Sequence, residues 1–270
     1  MALDVGKHRT TILRPMKLVI DTAARTLQRQ DEGSETTVGL FTKEAFEAIS
    51  LEWVRVGFSL AYYHTFTWFG LPILQLPQDL IRLQEVIYQL KPQVIVETGV
   101  FHGGSMLFYA SILEALGQGR VIGIDVEMIP SVRQKIEAHR LSPRISLIEG
   151  SSKDPSIAER VKQAVGSAAP VMVMLDSDHS RQHVAAELEL YAPLVTIGSW
   201  LVAADGIMKD ISDVPRASPE WKTDNPFEAA GEFASRHPEF VRAQPKWPYS
   251  ESPITEDVTF FSDGWFQRVK

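Results

Sequence analysis

The sequence contains no cysteine, and this absence removes several kinds of chemistry. Disulfide bonds, thiolate metal sites and a cysteine nucleophile are all excluded. Basic residues are also in deficit, because 27 lysines and arginines face 34 acidic residues, giving a net charge of −7. Nucleic acid is therefore not an expected partner, since its binding needs a basic face.

Long apolar segments are missing as well. The N-terminus, from Met1 to Arg9, lacks the hydrophobic stretch of a secretory signal. No apolar run approaches the roughly 20 residues that cross a bilayer. We therefore expect a cytoplasmic protein without a membrane partner. The composition, 44% hydrophobic and 23% charged over 270 residues, is that of an ordinary globular chain.

The stretch from Val94 to Ser105, VIVETGVFHGGS, predicts a strand, a glycine turn and the start of a helix. Its first residues are apolar, and after Ser105 apolar residues recur at three- and four-residue spacing, as in a helix. A turn of this kind lets a ligand approach bare backbone. The unpaired N–H groups of a helix N-terminus lie next to it.

Asp125 ends the next predicted strand, 21 residues after Gly104. A carboxylate at this distance is placed to hold the ribose of a nucleotide-type cofactor. Glycines used for packing alone are the simpler explanation. That explanation does not account for the coincidence of glycines, helix start and distal acid.

Apolar runs and helical patterns alternate regularly after residue 92. Strands are predicted at 93–98, 120–125, 145–149, 171–176 and 199–204, with helices near 104–117, 130–140, 155–165 and 181–192. The strands are continuous apolar runs, which favours a parallel sheet covered on both faces. The predicted fold class is therefore α/β, a Rossmann-like doubly wound and mostly parallel sheet. An antiparallel hairpin from residues 240–243 and 258–269 is expected at its C-terminal edge.

An N-terminal helical extension is predicted over residues 1–90, followed by the nucleotide-binding domain over 91–270. Helices are expected at 18–27, 43–60 and 80–90, with a polar connection at 28–37. The aromatic segment 62–69 is expected either to pack in the core or to form a pocket wall or subunit contact. The polar segment 209–225 is predicted to be a long loop.

The carboxyl ends of parallel strands meet at one rim, where open α/β sheets bind ligands. Polar residues expected at this rim are Glu97, Gly99, Asp125, Ser151, Ser152, Asp176, His179 and Asp205. Several acids and a histidine together favour a hard cation with oxygen ligands and a proton acceptor. Helix capping is the competing explanation for an acid such as Asp176.

The segments VETGVFHGGS, GIDV and LDSDHS resemble the cephalosporin hydroxylase family, and the resemblance runs from about Trp68 to the C-terminus. Despite its name, that family has the class I S-adenosylmethionine (SAM) methyltransferase fold. Its relatives include macrolide and sugar O-methyltransferases that use Mg²⁺. The resemblance implies SAM and Mg²⁺ as cofactors and a small-molecule acceptor, a hydroxyl of a sugar or natural-product scaffold. It also implies a homo-oligomer.

The resemblance further implies roles for individual residues. The residues implied to contact the methionine end of SAM are Glu97, Gly99, Gly103, Gly104 and Ser105. Asp125 is implied to bind the ribose, and Ser151 and Ser152 are implied to contact the adenine side. Asp176 matches the first Mg²⁺ ligand beside the cofactor, Asp205 matches a second ligand, and His179 matches the general base.

One position departs from the family pattern. The family usually has Glu-Asp after the fifth strand, and this chain has Ala204-Asp205. A cation would lose one ligand and one negative charge. Water could fill the place, Asp178 or Asp210 could move in, or the metal could bind weakly.

Two other functions stay open at this point. A nicotinamide-dependent dehydrogenase shares the acid after the second strand. Its turn reads Gly-x-Gly-x-x-Gly, however, unlike the spacing of Gly99, Gly103 and Gly104. A non-catalytic subunit with the SAM fold is favoured by the missing glutamate and opposed by the presence of Asp176 and His179.

Overall fold

The computed structural model describes residues 16–31 and 33–270. It begins with an antiparallel sheet of three strands, β1 (Lys17–Asp21), β2 (Thr26–Asp31) and β3 (Ser34–Gly39). The helix predicted at 18–27 and the polar connection predicted at 28–37 are therefore wrong. The Asp21 carboxylate accepts the N–H groups of Ala23 and Ala24, at 2.9 and 2.7 Å, and this closes a turn that apolar spacing does not reveal.

Two helices follow near their predicted positions. Helix α1 (Lys43–Ser59) begins after Thr42, whose hydroxyl accepts the N–H of Ala45. The short strands β4 (Thr67–Trp68) and β5 (Leu71–Pro72) precede α2 (Pro77–Leu90). The predicted division of the chain at residue 90 stays a prediction.

The α/β unit continues in the predicted order. It consists of β6 (Val94–Thr98), α3 (Gly104–Ala115), β7 (Arg120–Asp125), α4 (Pro130–Ala138), β8 (Ile145–Glu149), α5 (Pro155–Val165), β9 (Val171–Leu175), α6 (Arg181–Tyr191) and β10 (Trp200–Ala203). The last elements are α7 (Pro226–Arg236), β11 (Phe240–Arg242) and β12 (Trp265–Arg268).

Seven strands form one sheet in the order β11-β12-β10-β9-β6-β7-β8. Five of them, β6 to β10, are parallel, and β12 pairs antiparallel with both β10 and β11. The predicted α/β fold is thereby confirmed. The last strand is shorter than predicted, because the buried Asp79 carboxylate accepts the Phe260 N–H and the Thr259 hydroxyl and draws this segment away from the sheet.

Apolar side chains cover both faces of the sheet. Ile95 and Val121 pack in one core with residues of α2 and α3, whereas Val94 and Val96 pack in a second core with residues of α5 and α6. Neither face of these strands meets solvent, so side chains on both faces are apolar and the strand sequences are continuous apolar runs. Within the described residues, no helix has the length and hydrophobicity to cross a membrane.

The end of β6 lies directly against the end of β9. Gly99 has a φ of +91°, and a Cβ added there would overlap the carbonyl oxygen of Asp176. The Asp176 N–H donates to the Thr98 carbonyl at 3.0 Å. The Thr98 hydroxyl also accepts this N–H, at 3.3 Å, so the two loops that leave these strands are held together by close backbone contact and one side chain.

We expect Gly99→Ala to destabilise the protein more than Gly117→Ala does. Gly117 also has a positive φ, +73°, but an added Cβ there meets open space. The left-handed backbone alone should cost about 1–2 kcal/mol, and Gly99→Ala adds the overlap with Asp176. Urea unfolding of the two variants measures the difference. Equal losses would show that the loops can move apart.

Candidate active site

A cavity of about 840 Å³ opens at the carboxyl ends of the parallel strands. This volume lies in the upper part of the usual range for small-molecule sites. Most of the predicted site residues line it: Gly99, Gly103, Gly104, Ser105, Asp125, Ser151, Ser152, Asp176, His179 and Asp205. Glu97 is the exception, since it lies fully buried behind the lining.

The glycine turn brings bare backbone to one end of the cavity. Gly103 has a φ of +77° and precedes the first residue of α3. A Cβ on Gly104 would overlap the carbonyl oxygen of Pro72. Both positions therefore need glycine, one for its backbone conformation and one for close packing.

Asp125 is held in position by the backbone around it. Its Oδ2 accepts the N–H of Phe101 at 2.8 Å, and its Oδ1 accepts the N–H of Glu127 at 3.2 Å. Ile124 and Val126 line the cavity on either side. The orientation of this carboxylate is therefore fixed in the protein itself, as a ribose-binding acid requires.

Glu97 is a buried acid with a different environment. Its Oε2 accepts the Ser105 hydroxyl at 2.6 Å, and the residue has 0% exposure. Burial raises the pKa of Glu97 to about 8, although the hydrogen bond from Ser105 opposes the rise. Glu97 thus orients Ser105, which lines the cavity in its place.

Two carboxylates and a histidine converge in the lining of the cavity. Ligand atoms of Asp176, His179 and Asp205 all lie within 4.8 Å of one another, and His179 Nε2 lies 3.2 Å from Asp205 Oδ2. Burial, together with the nearby Asp205 charge, raises the pKa of Asp176 well above its usual range. Burial also raises the pKa of Asp205, which the His179 charge opposes. A cation placed between them would relieve this cost.

The two predicted replacements for the missing glutamate do not join this group. Asp178 uses its Oδ1 to accept the Ser180 N–H at 2.8 Å, just before α6, and Asp210 does not line the cavity. Ala204 itself belongs to the apolar core, in the same cluster as Ile207 and Phe260. Gln75, which the sequence did not single out, donates from Nε2 to Asp176 Oδ2 at 2.9 Å.

A second hydrogen-bond network, which surrounds His183, was also not predicted from the sequence. His183 Nε2 lies 3.0 Å from Ser152 Oγ, 3.2 Å from Ser177 Oγ and 3.4 Å from Glu187 Oε1. The hydrogen bond that the His183 ring donates to the buried Glu187 carboxylate raises the pKa of His183. All three oxygens face the same ring nitrogen, so this is not a nucleophile-activating triad. It ties the Ser152 loop to the Ser177 loop, and the four-residue spacing of His183 and Glu187 on α6 was its sequence signal.

Aromatic side chains form the wall beside the carboxylate pair. Phe58, Tyr63, Trp221 and Phe260 all line the cavity. Tyr63 and Phe260 lie 5.2 Å apart, and Phe58 and Trp221 5.7 Å apart, each pair edge to face. The segment 62–69 was expected either to pack in the core or to form a pocket wall, and it does both. Tyr63 lines the pocket, whereas Phe66 and Trp68 pack against the core.

We expect Glu97→Gln to flatten the dependence of stability on pH. The pKa of Glu97 is about 8 in the native state, whereas the ordinary pKa of a glutamate side chain is 4.5. The native protein thus holds a proton that the unfolded chain releases between these values. Stability conferred by this group is full below the unfolded pKa and is lost as the pH rises through 8, by up to ~1.4 kcal/mol per pH unit.

Urea unfolding of wild type and Glu97→Gln at pH values of about 5.5, 7 and 8.5 measures this difference. The stability of wild type relative to the variant should fall as the pH rises. A constant difference across the three values would show that Glu97 ionises normally.

Comparison with known proteins places this site in a family. The family model described as Rhamnosyl O-methyltransferase/CmcI matches residues 60–269. A rhamnosyl O-methyltransferase of Mycobacterium leprae is 31% identical over 175 residues, covering 63% of this chain and 73% of its own. One from Mycobacterium bovis is 30% identical over 174 residues, covering 64% and 67%.

Two solved structures share the fold. A structure of CmcI without ligand aligns with a TM-score of 0.52 and 19% identity over 77% of each chain. CmcI with Mg and SAM aligns with a TM-score of 0.52 and 18% identity, over 77% of this chain and 78% of the other. The resemblance read from the sequence is thereby confirmed, and the chain belongs to the rhamnosyl O-methyltransferase/CmcI family of SAM-dependent O-methyltransferases.

Proposed function

We propose that this protein transfers the methyl group of SAM to a hydroxyl of a sugar or another hydroxylated natural product, assisted by Mg²⁺. The observation that carries the proposal is that a single cavity is lined both by Asp176, His179 and Asp205 and by the glycine turn and Asp125. Relatives named rhamnosyl O-methyltransferases support a sugar acceptor. Family membership sets the dehydrogenase aside.

The cofactor half is assigned to the residues that the resemblance named. Gly99, Gly103, Gly104 and Ser105, with Glu97 behind them, would meet the methionine part of SAM. Asp125 would accept the ribose hydroxyls, and Ser151 and Ser152 would lie along the adenine side. Exposed backbone at the turn and the fixed Asp125 carboxylate support this assignment.

The acceptor half is assigned to the carboxylate pair and the aromatic wall. Asp176 and Asp205 would hold the cation, which would lower the pKa of the acceptor hydroxyl. His179 would take the proton from that hydroxyl, and SAM would supply the methyl group that the hydroxyl oxygen receives. Asp205, 3.2 Å from His179 Nε2, orients the imidazole and stabilises it once it is protonated.

A non-catalytic subunit is the competing hypothesis, because Ala204 stands where the family usually has glutamate. The convergence of His179 with both remaining carboxylates opposes it. Location in the cytoplasm and the absence of nucleic-acid partners stay predictions.

We expect His179→Ala to lower kcat by roughly 10²–10⁴-fold, the usual contribution of a general base, with SAM affinity nearly unchanged. The assay incubates the protein with SAM, Mg²⁺ and a panel of rhamnosylated and other glycosylated acceptors, and detects a mass gain of one methyl. His139→Ala is the control, because His139 stacks on Phe69 and does not line the cavity.

Calorimetric titration with SAM separates the possible failures. Turnover that survives His179→Ala would remove the base assignment. Turnover unaffected by EDTA would remove the metal. SAM binding without turnover on any acceptor, even at high Mg²⁺, would favour the non-catalytic subunit.

We also propose a homo-oligomer assembled through α1. Four apolar side chains in the second half of α1 and in the segment directly after it are exposed, namely Trp53, Val56, Leu60 and Tyr62. Trp53 and Tyr62 contact each other edge to face at 5.6 Å, so the side chains form a surface rather than isolated positions. An apolar surface of this kind is typical of contacts between subunits.

Analytical ultracentrifugation at micromolar concentration should show a species larger than the 30.2 kDa chain. Val56→Glu should shift it toward the monomer, because a charge would have to be buried in the contact. Ile197→Glu is the matched control, since Ile197 is an exposed apolar residue remote in sequence from α1. A wild-type monomer, or an identical shift in both variants, would contradict the proposal.

A further inference from the structure

The chain lacks the glutamate that its family usually places next to Asp205, and nothing acidic replaces it. Within the described residues, the group of candidate acidic and histidine ligands contains Asp176, His179 and Asp205 alone. Ala204 is 1% exposed and packs in the apolar core. A third protein oxygen for the cation therefore has to come from a neutral group.

Gln75 is the neutral group in place. It lies between β5 and α2, lines the cavity and is 5% exposed. Its amide hydrogen-bonds to Asp176 Oδ2 at 2.9 Å, whereas its Oε1 is buried and has no hydrogen-bond donor in the described part of the chain. Oε1 therefore holds the amide in this orientation through no hydrogen bond of its own, and turning the amide breaks only the bond from Nε2 to Asp176.

The geometry of the pair fits a cation. Mg²⁺ prefers octahedral coordination with oxygen at 2.0–2.1 Å, so two neighbouring ligand oxygens lie about 2.9 Å apart. The amide nitrogen of Gln75 already lies at this distance from Asp176 Oδ2. A half-turn of the amide exchanges its nitrogen and oxygen, which would leave Oε1 at about the same distance.

We propose that Gln75 is the third protein ligand of the divalent cation, through Oε1, and that it takes the place of the missing glutamate. Without the cation, the amide nitrogen donates to Asp176, and with the cation, the amide turns. The site then carries two negative charges from Asp176 and Asp205 and leaves His179 free to act as base. This inference rests on the proposed function, because it assumes the cation held by those carboxylates.

Mn²⁺ is the probe, because its paramagnetism reports both affinity and the number of bound waters. Wild type, Gln75→Met and Gln75→Glu are titrated with Mn²⁺ by electron paramagnetic resonance, and water relaxation counts the waters on the bound ion. Gln118→Met is the control, since the Gln118 amide also donates one hydrogen bond, to the Lys91 carbonyl, and does not line the cavity. SAM titration verifies that each variant is folded.

Gln75→Met should weaken Mn²⁺ binding about 10-fold or more and add about one bound water. Gln75→Glu should tighten binding and leave the water count unchanged, because a carboxylate replaces the amide oxygen as ligand. Gln118→Met should change neither quantity.

The water count decides between a ligand and a residue that only orients Asp176. An unchanged count in Gln75→Met, even with weaker binding, would overturn the proposal and leave the proposed function standing. Wild type that binds SAM but no Mn²⁺ would overturn both this proposal and the metal half of the proposed function. If Gln75→Met fails to fold, weaker Mn²⁺ binding by Gln75→Glu overturns the proposal.

Discussion

The contact between Gly99 and the backbone of Asp176 is the constraint on which the site depends. The Asp176 N–H is held by the Thr98 carbonyl, and its own carbonyl lies where any side chain at position 99 would be. The turn assigned to the cofactor and the carboxylate assigned to the cation therefore share one rim without intervening atoms. Methyl transfer needs its reacting groups closely aligned, and a contact in which backbone meets backbone supplies that rigidity.

The acids along this rim differ in role because they differ in surroundings. Glu97 has no exposure, so its raised pKa makes it a neutral hydrogen-bonding partner of Ser105 near pH 7. Asp125 receives two backbone N–H groups, which suit an anion that accepts hydrogen bonds. Asp176 and Asp205 lie close together and partly buried, so ionising both carboxylates is energetically costly. A bound cation would offset this cost, which is why such a pair is typical of a cation site.

The sheet could be predicted from the sequence because strands buried on both faces consist of continuous apolar runs. Placing polar residues after each strand then identified cavity residues such as Asp125, Asp176 and Asp205, since parallel strands end at one rim. The hairpins at the N-terminus could not be predicted this way, because Asp21 closes a turn by side-chain hydrogen bonds within a weakly patterned segment. Gln75 was equally hidden, since its role depends on a contact 101 residues away.

The cavity takes its two halves from different parts of the chain. The rim assigned to SAM comes from residues between Glu97 and Ser152, inside the repeating strand–helix unit. The aromatic wall comes from outside it, from α1, the segment after it, the loop after β10 and the segment before β12. Because these surrounding segments carry no strand of the parallel sheet, substitutions of the four wall aromatics would reshape the pocket proposed for the acceptor and leave the strands of the cofactor rim in place. Evolution can therefore redirect this enzyme to a new acceptor while its methyl donor stays the same.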